Sequence, residues 1–264
     1  MPDKIDTTTA HPARRYDYWL GGKDHFAVDR ASGDAIAEAF PAIRTWAIEN
    51  RGFMRRAAAY LAREAGIRQF LDIGTGIPTS PNLHEVVQEI APESRVAYID
   101  NDPLVLVHAR ALMSSATPRG AVAYLEADLH DPDAILGSDE VKDVLDLSRP
   151  VALSLVAVLH FFHDNEVDDP YRIVRTLVDA LPSGSYLAIS HASWDYLPPA
   201  VAERLQHAQR GEVQPRSKAE FEQFFTGLEL VEPGISLVSE WRDDRSEQPD
   251  PSDVSCYGAV ARIP

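Results

Sequence analysis

The sequence predicts an α/β fold with a mostly parallel sheet, an antiparallel terminal hairpin and an N-terminal helical extension. Strand-type and helix-type segments alternate across residues 69–190, as in sheets whose parallel strands are joined by helical crossovers. A continuous apolar run, Val151–Val158, is typical of a buried central strand. Two β-type segments, Leu228–Val238 and Ser255–Ile263, then follow with no helix between them, which indicates an antiparallel pair at one edge of the sheet.

The N-terminal part of the chain predicts helices before the sheet begins. Asp29–Ala39 is helix-permissive after a Gly21–Gly22 break, and Ala42–Ala65 is rich in alanine and arginine and stops at a glycine. We therefore divide the chain into residues 1–66, an N-terminal extension and helical lid, and residues 67–264, which carry the sheet.

Within residues 67–264, five strands are expected to run parallel and to be joined by right-handed crossovers. The predicted strands are Gln69–Ile73, Arg95–Ile99, Val122–Glu126, Val151–Val158 and Tyr186–Ser190. The predicted helices are Pro81–Ile90 with Ser80 as N-cap, Pro103–Ser114 with Asp102 as N-cap, a short one near Pro132–Leu136, and Val167–Ala180.

Composition and charge limit the function classes. The 264 residues are 45% hydrophobic and 25% charged, which suits one globular α/β domain with an extension. A formal charge of −16 disfavours nucleic acid and favours a neutral or cationic small substrate; Arg51, Arg55 and Arg56 are interpreted as a solvated helix face. No apolar stretch is long enough to span a membrane, and residues 1–19 do not resemble a secretory signal. With the single Cys256, a reducing, cytoplasmic location is expected; the oligomeric state is left open.

A glycine turn follows the first predicted strand. The segment Asp72-Ile73-Gly74-Thr75-Gly76 lets the backbone turn sharply and lets a ligand approach main-chain atoms without a Cβ in the way. In the dinucleotide fingerprint of Rossmann sheets a third glycine packs beside the pyrophosphate, but Thr79 stands at that position here. The loop therefore fits a nucleoside that carries no pyrophosphate, on a Rossmann-like sheet.

Acidic residues stand after the next two strands. Asp100 abuts the second strand, where a carboxylate can accept two hydrogen bonds from ribose hydroxyls, while Asp102 fits a helix N-cap. Asp128 follows the third strand and can accept from an adenine amino group, with Leu129 against the ring. A role as turn or cap residues is the alternative for these acids. Because the carboxyl ends of parallel strands meet at one edge of a sheet, the three segments predict a single nucleoside site.

These motifs resemble a known family. Residues 70–129 are similar to the motifs of class I S-adenosylmethionine (SAM)-dependent methyltransferases, whose sheet ends in an antiparallel strand. Residues 13–26, with Asp29 and Arg30, resemble the signature of an actinobacterial methyltransferase family first catalogued as a domain of unknown function. The resemblance covers nearly the whole chain. It implies a Rossmann-like class I methyltransferase sheet and SAM as cofactor, with S-adenosyl-L-homocysteine (SAH) as its product.

The resemblance also implies site residues. The SAM contacts by position are Asp72, Gly74, Thr75, Gly76, Asp100, Asn101, Asp128 and Leu129. In the front segment, Tyr16, Asp17, Tyr18 and Lys23 are implied to form a lid over the cofactor. Aromatic rings there can stack on adenine or enclose the methyl donor, and anchoring of the extension onto the core is the alternative.

Methyl transfer from a sulfonium is an in-line displacement, so the protein must align the two reactants, exclude water and remove any proton on the nucleophile. His160, after the fourth strand, and His191, at the end of the fifth, are candidate bases because imidazole titrates near neutral pH. A histidine hydrogen-bonded at a strand end is the alternative for both. His163 and Asp164 lack a third ligand at a convincing spacing, so no metal site is predicted.

The sequence thus predicts a SAM-dependent methyltransferase that acts on the oxygen or nitrogen of an unidentified small-molecule acceptor. Two alternatives remain. A non-catalytic SAM-binding or sensor protein would carry the same site, since no residue is an obligatory catalytic signature. An NAD-dependent oxidoreductase is disfavoured because no tyrosine has a lysine four residues later and because the terminal strands are antiparallel.

Overall fold

The computed structural model describes residues 5–112 and 114–264. Within these residues, eight strands form one sheet: β1 (Gln69–Ile73), β2 (Arg95–Asp100), β3 (Ala121–Glu126), β4 (Ala152–Val156), β5 (Tyr186–Ala192), β6 (Glu229–Leu230), β7 (Ser236–Leu237) and β8 (Cys256–Arg262). Their order is β3-β2-β1-β4-β5-β8-β6, and β7 pairs with β8 beside this path. Strands β1 to β5 are parallel, whereas β8 runs antiparallel to β5, β6 and β7. This confirms the predicted fold class.

Helices precede, join and follow these strands. They are α1 (Pro12–Trp19), α2 (Ala27–Ala39), α3 (Ile43–Arg63), α4 (Leu83–Ile90), α5 (Pro103–Leu112), α6 (Pro132–Gly137), α7 (Asp139–Val144), α8 (Pro170–Asp179), α9 (Pro199–Ala208), α10 (Lys218–Glu222) and α11 (Pro251–Val254). Short 3-10 helices lie at Leu159–Phe161 and Gln223–Phe225. No helix among the described residues is long and apolar enough to cross a bilayer.

Successive residues of a strand point to opposite faces of the sheet, and helices cover both faces. In β2, Val96 and Tyr98 belong to the core under the N-terminal helices, while Ala97 and Ile99 belong to the core under α8 and α10. Helix α3 contributes Phe53, which has no exposed surface, to the first core. The N-terminal helices and the sheet therefore share one hydrophobic core.

The start of α4 differs from the prediction. Asn82, not Ser80, is the N-cap, and the helix begins at Leu83. The Glu85 side chain accepts a hydrogen bond from the Asn82 backbone N–H at 2.5 Å, as in a capping box. The prediction of Ser80 as N-cap relied on Pro81, which follows it. It was wrong because the hydrogen bonds between Asn82 and Glu85 fix the start of the helix at Leu83.

The C-terminal region also differs. The predicted strand Leu228–Val238 is present only as the two-residue strands β6 and β7, because Pro233 lacks an N–H and Gly234 turns the chain at φ +82°. The last strand, β8, lies between β5 and β6 and is almost wholly buried. The predicted extension of α5 to Ser114 crosses Met113, which lies outside the described residues.

Candidate functional site

One cavity of about 260 Å³ lies at the carboxyl ends of the parallel strands and extends beneath the N-terminal helices. Gly74, Asp100 and Asp128, from the ends of three successive strands, line this same cavity. Its volume is close to the lower end of the range of small-molecule sites, about 300–1,000 Å³. The predicted meeting of the three strand ends is therefore present in the structure.

Most of the predicted site residues are brought together. Those that line the cavity are Tyr16, Asp72, Gly74, Thr75, Gly76, Asp100, Asn101, Asp128, Leu129 and His160. Within the described chain, Tyr18, Lys23 and His191 are not part of the lining. Lys23 is exposed, and the Tyr18 hydroxyl donates to Asp34 Oδ1 at 2.7 Å instead.

The glycine loop needs both of its glycines, for different reasons. Gly74 and Gly76 adopt φ values of +76° and +68°, a region that favours glycine. A Cβ on Gly74 would lie 2.7 Å from Val158 Cβ, whereas a Cβ on Gly76 would have no neighbour within 4 Å. Gly74 thus permits close packing against the segment after β4, and Gly76 leaves space on the cavity side.

Asp100 joins the glycine loop to the loop after β2. Its Oδ2 accepts from the Gly76 N–H at 2.8 Å, and its Oδ1 accepts from the Asp102 N–H at 2.9 Å. The side chain is buried, and burial raises its pKa to about 6 even though these two hydrogen bonds lower it. Each carboxylate oxygen keeps a lone pair for a ligand.

Helix α1 is tied to the same loop by a buried ion pair. Arg14 donates from Nε to Asp102 Oδ2 at 2.9 Å and from Nη2 to Asp102 Oδ1 at 3.0 Å. Asp102 also accepts from the Leu104 N–H at 3.0 Å, which confirms its predicted role as N-cap. Helix α1, which contributes residues to the cavity wall, and the start of α5, directly after the loop that carries Asp100, are therefore linked through one carboxylate.

Asp72 and Arg51 place opposite charges on the cavity wall. Burial raises the pKa of Asp72 to about 6, while Ser154 and the positive charge of Arg51 act to lower it. Arg51, on α3, donates through Nη2 to the carbonyls of Thr79 and Pro81, and its buried Nε has no partner among the described residues. The interpretation of Arg51 as part of a solvated face was wrong, because α3 packs against α4 and turns this side chain into the cavity wall.

Asp128 stands at a more open part of the cavity. Its side chain is 54% exposed, and Oδ1 contacts His130 Nδ1 at 2.6 Å and accepts from the His130 N–H at 2.9 Å. Partial burial opposes the charged imidazole, yet hydrogen bonds to Asp128 and Asp168 raise the pKa of His130 overall. The His130 ring packs against Phe162 at 4.6 Å, so this carboxylate is held in place by its neighbour.

His160 lies on the inner wall of the cavity. It follows Ala157, whose φ of 54° marks a strained turn directly after β4, and it belongs to the 3-10 helix there. Its ring meets Trp46 edge to face with centroids 6.0 Å apart, and Nδ1 has no partner in the described part of the chain. Burial, then the charges of Arg216 and Arg15, lower the pKa of His160 to about 3. The imidazole is therefore neutral near neutral pH.

His191 is held differently. Arg216 Nη1 lies 2.7 Å from His191 Nε2, and because a guanidinium can only donate, Nε2 is the acceptor. The proton is then on Nδ1, which donates to the Ala192 carbonyl at 2.7 Å. Both ring nitrogens are engaged away from the cavity, so the geometry matches the alternative of a hydrogen-bonded histidine at a strand end.

Arg216 is a residue that the sequence did not single out. Its side chain is fully buried and donates to the carbonyls of Leu159 at 3.2 Å and Phe162 at 2.9 Å, and to Asp164 Oδ1 at 2.5 Å. These acceptors flank His160 in the chain. Arg216 therefore fixes the segment that carries His160, and no local sequence signal distinguishes it from a surface arginine.

The chain is similar to proteins of one family over its whole length. Residues 1–264 match the family described as S-adenosyl methyltransferase. The comparison with curated proteins gives no match.

Solved structures give the same picture. A DUF574 family protein from Streptomyces avermitilis shares 50% identity, with 99% of this chain and 100% of that chain covered and a TM-score of 0.93. A candidate methyltransferase from Thermobifida fusca shares 39% identity, with coverage of 99% and 98% and a TM-score of 0.89. TnmH shares 16% identity with a TM-score of 0.50, and the match covers 86% of this chain and 60% of TnmH. This similarity shows the fold alone.

Proposed function

Because the chain belongs to the S-adenosyl methyltransferase family, we propose that its cavity binds SAM at the strand ends and a small-molecule acceptor beside His160. The observation that carries this proposal is the continuity of one cavity from Gly74, Asp100 and Asp128 to His160. SAM is the cofactor, and it supplies an electrophilic methyl group on a positively charged sulfur. The protein's own residues bind, orient and exclude water.

The charges of the cavity support SAM over a dinucleotide. Asp72 and Asp100 both line it, and their carboxylates favour a sulfonium and an ammonium group and oppose a pyrophosphate. The space beside Gly76 allows a ligand to approach the backbone, and Asp100 retains acceptor capacity for ribose hydroxyls. These features fit a nucleoside with a cationic side chain, and they disfavour the NAD-dependent alternative.

Replacement of Asp100 by alanine tests the part of the cavity that we propose binds the nucleoside of SAM. We expect SAM and SAH binding to weaken by about 1–3 kcal/mol, the scale of a lost hydrogen bond to a charged group. Isothermal titration calorimetry with both ligands measures this. Asp128→Ala is the comparison, and its effect should be smaller because that carboxylate is 54% exposed. Unchanged affinity in a folded Asp100→Ala protein would contradict the assignment.

Asp72 and Arg51 fit the amino-acid end of SAM. The carboxylate of Asp72 can pair with the ligand's ammonium, and the guanidinium of Arg51 can pair with its carboxylate. Arg51 is mostly shielded from solvent, and its Nε has no hydrogen-bond partner among the described residues. It can therefore donate a further hydrogen bond to a ligand. Helix α3, within residues 1–66, thereby contributes to cofactor binding as well as to the proposed lid.

Arg51→Met should weaken SAH binding about tenfold or more, because a charge-assisted hydrogen bond contributes about 1.5–3 kcal/mol. Binding of 5′-methylthioadenosine, which keeps the nucleoside and sulfur but lacks the amino acid, should be unaffected. Calorimetry with the two ligands gives the comparison, and Arg55→Met on the exposed side of α3 is the matched control. Equal losses for both ligands would show that Arg51 acts through the fold instead.

Residues from α1, α2, α3 and α9 line the acceptor end of the cavity, which suits a small molecule. The test is incubation with methyl-labelled SAM and a cell extract, followed by separation of small molecules from macromolecules. We expect label in the small-molecule fraction. Label only in macromolecules, or none from a protein that binds SAM, would contradict the proposal.

A further inference from the structure

The end of the cavity beneath the N-terminal helices has a wall of large apolar side chains. We define this acceptor chamber by Trp19, Phe40, Trp46, Leu197, Leu205 and His160. Trp46 meets the His160 ring edge to face at 6.0 Å, and the Tyr16 ring meets Trp46 in the same way at 6.1 Å. Such a wall favours a flat ligand, because aromatic rings bury much area and interact edge to face or offset.

The polar groups around the acceptor chamber are largely occupied by each other. Arg15 Nη2 pairs with Glu212 Oε2 at 2.6 Å, so its charge is balanced. Asn50 donates to the Tyr16 hydroxyl at 2.9 Å and accepts from the Ser190 hydroxyl at 2.5 Å. In the described chain, the carboxylates that line the cavity are those of Asp72, Asp100 and Asp128, and all three lie at strand ends. A cationic group in the chamber would therefore find no carboxylate there among the described residues, and an anionic group would meet Arg15, whose charge Glu212 already balances although its Nε is unpartnered.

Besides Arg51, three groups of the cavity wall have a buried polar atom without a hydrogen-bond partner among the described residues: His160 Nδ1, Arg15 Nε and Gln209 Oε1. Of these three, His160 belongs to the segment beside the glycine loop, where the methyl donor is proposed to lie. Val158, two residues earlier, is the residue against which Gly74 packs, so the His160 segment lies directly beside the glycine loop. The imidazole is neutral, with Nδ1 unpartnered among described residues. A neutral imidazole has one nitrogen that accepts a hydrogen bond, and a hydroxyl is a suitable donor to it.

We propose that the methyl acceptor is a neutral, planar aromatic alcohol whose hydroxyl donates a hydrogen bond to His160, an inference that rests on the proposed function. The acceptor oxygen forms the new O–C bond with a lone pair, and the C–S bond breaks with its electron pair left on sulfur. As the O–C bond forms, the hydroxyl becomes strongly acidic, so its proton passes to the imidazole of His160 even though that imidazole is a weak base, and then to solvent. The cation lost at sulfur balances the proton released.

Four probes that share the naphthalene ring and differ in the substituent at position 2 test this inference. Their binding to the SAH-loaded protein is measured by calorimetry. The probes are 2-naphthol, naphthalene, anionic 2-naphthoate and cationic 2-(aminomethyl)naphthalene. We expect 2-naphthol to bind about tenfold or more tightly than either charged probe, because burial of an unpaired charge costs several kcal/mol. It should also bind more tightly than naphthalene.

His160 variants test the position of the hydroxyl. In His160→Phe, 2-naphthol and naphthalene should bind alike, whereas His160→Gln keeps an acceptor and should retain part of the preference. A preference that persists in His160→Phe, tighter binding of a charged probe, or no probe binding to SAH-loaded protein would overturn the inference while the proposed function stands. A protein that binds no SAH would contradict the proposed function itself.

Discussion

Replacement of Arg216 by methionine should lower the free energy of unfolding by about 3–5 kcal/mol, the scale for breaking a buried charged network. Its two terminal nitrogens serve the carbonyls of Leu159 and Phe162, the Asp164 carboxylate and His191 Nε2. Methionine supplies no donor, so the buried acceptors lose their partners. The guanidinium also stacks over Tyr171 and Phe224, each at 5.4 Å, and a thioether replaces this contact only in part.

Urea denaturation followed by circular dichroism measures this effect. Arg262→Met is the matched control, since it removes a partly exposed pair with Glu229 and should change the stability by less than about 1 kcal/mol. Arg216→Lys should recover only part of the loss, because an ammonium cannot reproduce the forked donor geometry. Similar losses in Arg216→Met and Arg262→Met would contradict the assigned role.

Gly74→Ala should lower both stability and SAM affinity. A non-glycine residue at φ +76° costs about 1–2 kcal/mol, and the new Cβ would lie 2.7 Å from Val158 Cβ. Overpacking of this kind adds about 1–3 kcal/mol and displaces the loop that we propose contacts the cofactor. The expected total is therefore about 2–5 kcal/mol in the free energy of unfolding.

Gly66→Ala separates the conformational cost of a positive φ from the steric cost of the Val158 contact. Gly66 has φ +71°, but a Cβ added there would have no neighbour within 4 Å, and the residue lies away from the cavity, so only the conformational cost should appear. In the double variant Gly74→Ala with Val158→Gly, which removes the clashing Cβ, the steric part should be relieved relative to Val158→Gly alone. Urea denaturation and SAH titration of these proteins provide the measurements. Equal destabilisation by Gly66→Ala and Gly74→Ala would show that the Val158 contact is unimportant.

The strand-end residues could be predicted because their signals are local. Gly74 directly follows β1, Asp100 is the last residue of β2 and Asp128 lies two residues after β3, and the parallel topology then places them at one edge. Helix starts with short, competing signals were harder to predict. Two prolines and several polar residues precede α4, and the Asn82–Glu85 pair decides its start.

The residues that depend on distant partners could not be predicted. Arg51 is held in the cavity wall by hydrogen bonds to backbone carbonyls near residue 80. Arg216 donates to acceptors in residues 159–164 and at residue 191. In the sequence both are arginines within polar segments. The neutral or cationic substrate predicted from the net charge of −16 stays a prediction, since the charge of the whole chain does not describe a chamber wall that is mostly apolar.

The ion pair between Arg14 and Asp102 has a consequence for ligand exchange. Helix α1 contributes residues to the cavity wall and is the proposed lid, whose movement would let SAH leave and SAM enter. Such movement separates a bidentate pair whose carboxylate is almost completely shielded from water. The same carboxylate caps the start of α5, and the Asp102 N–H donates to Asp100, so this movement would loosen the segment that carries the carboxylate proposed to bind ribose.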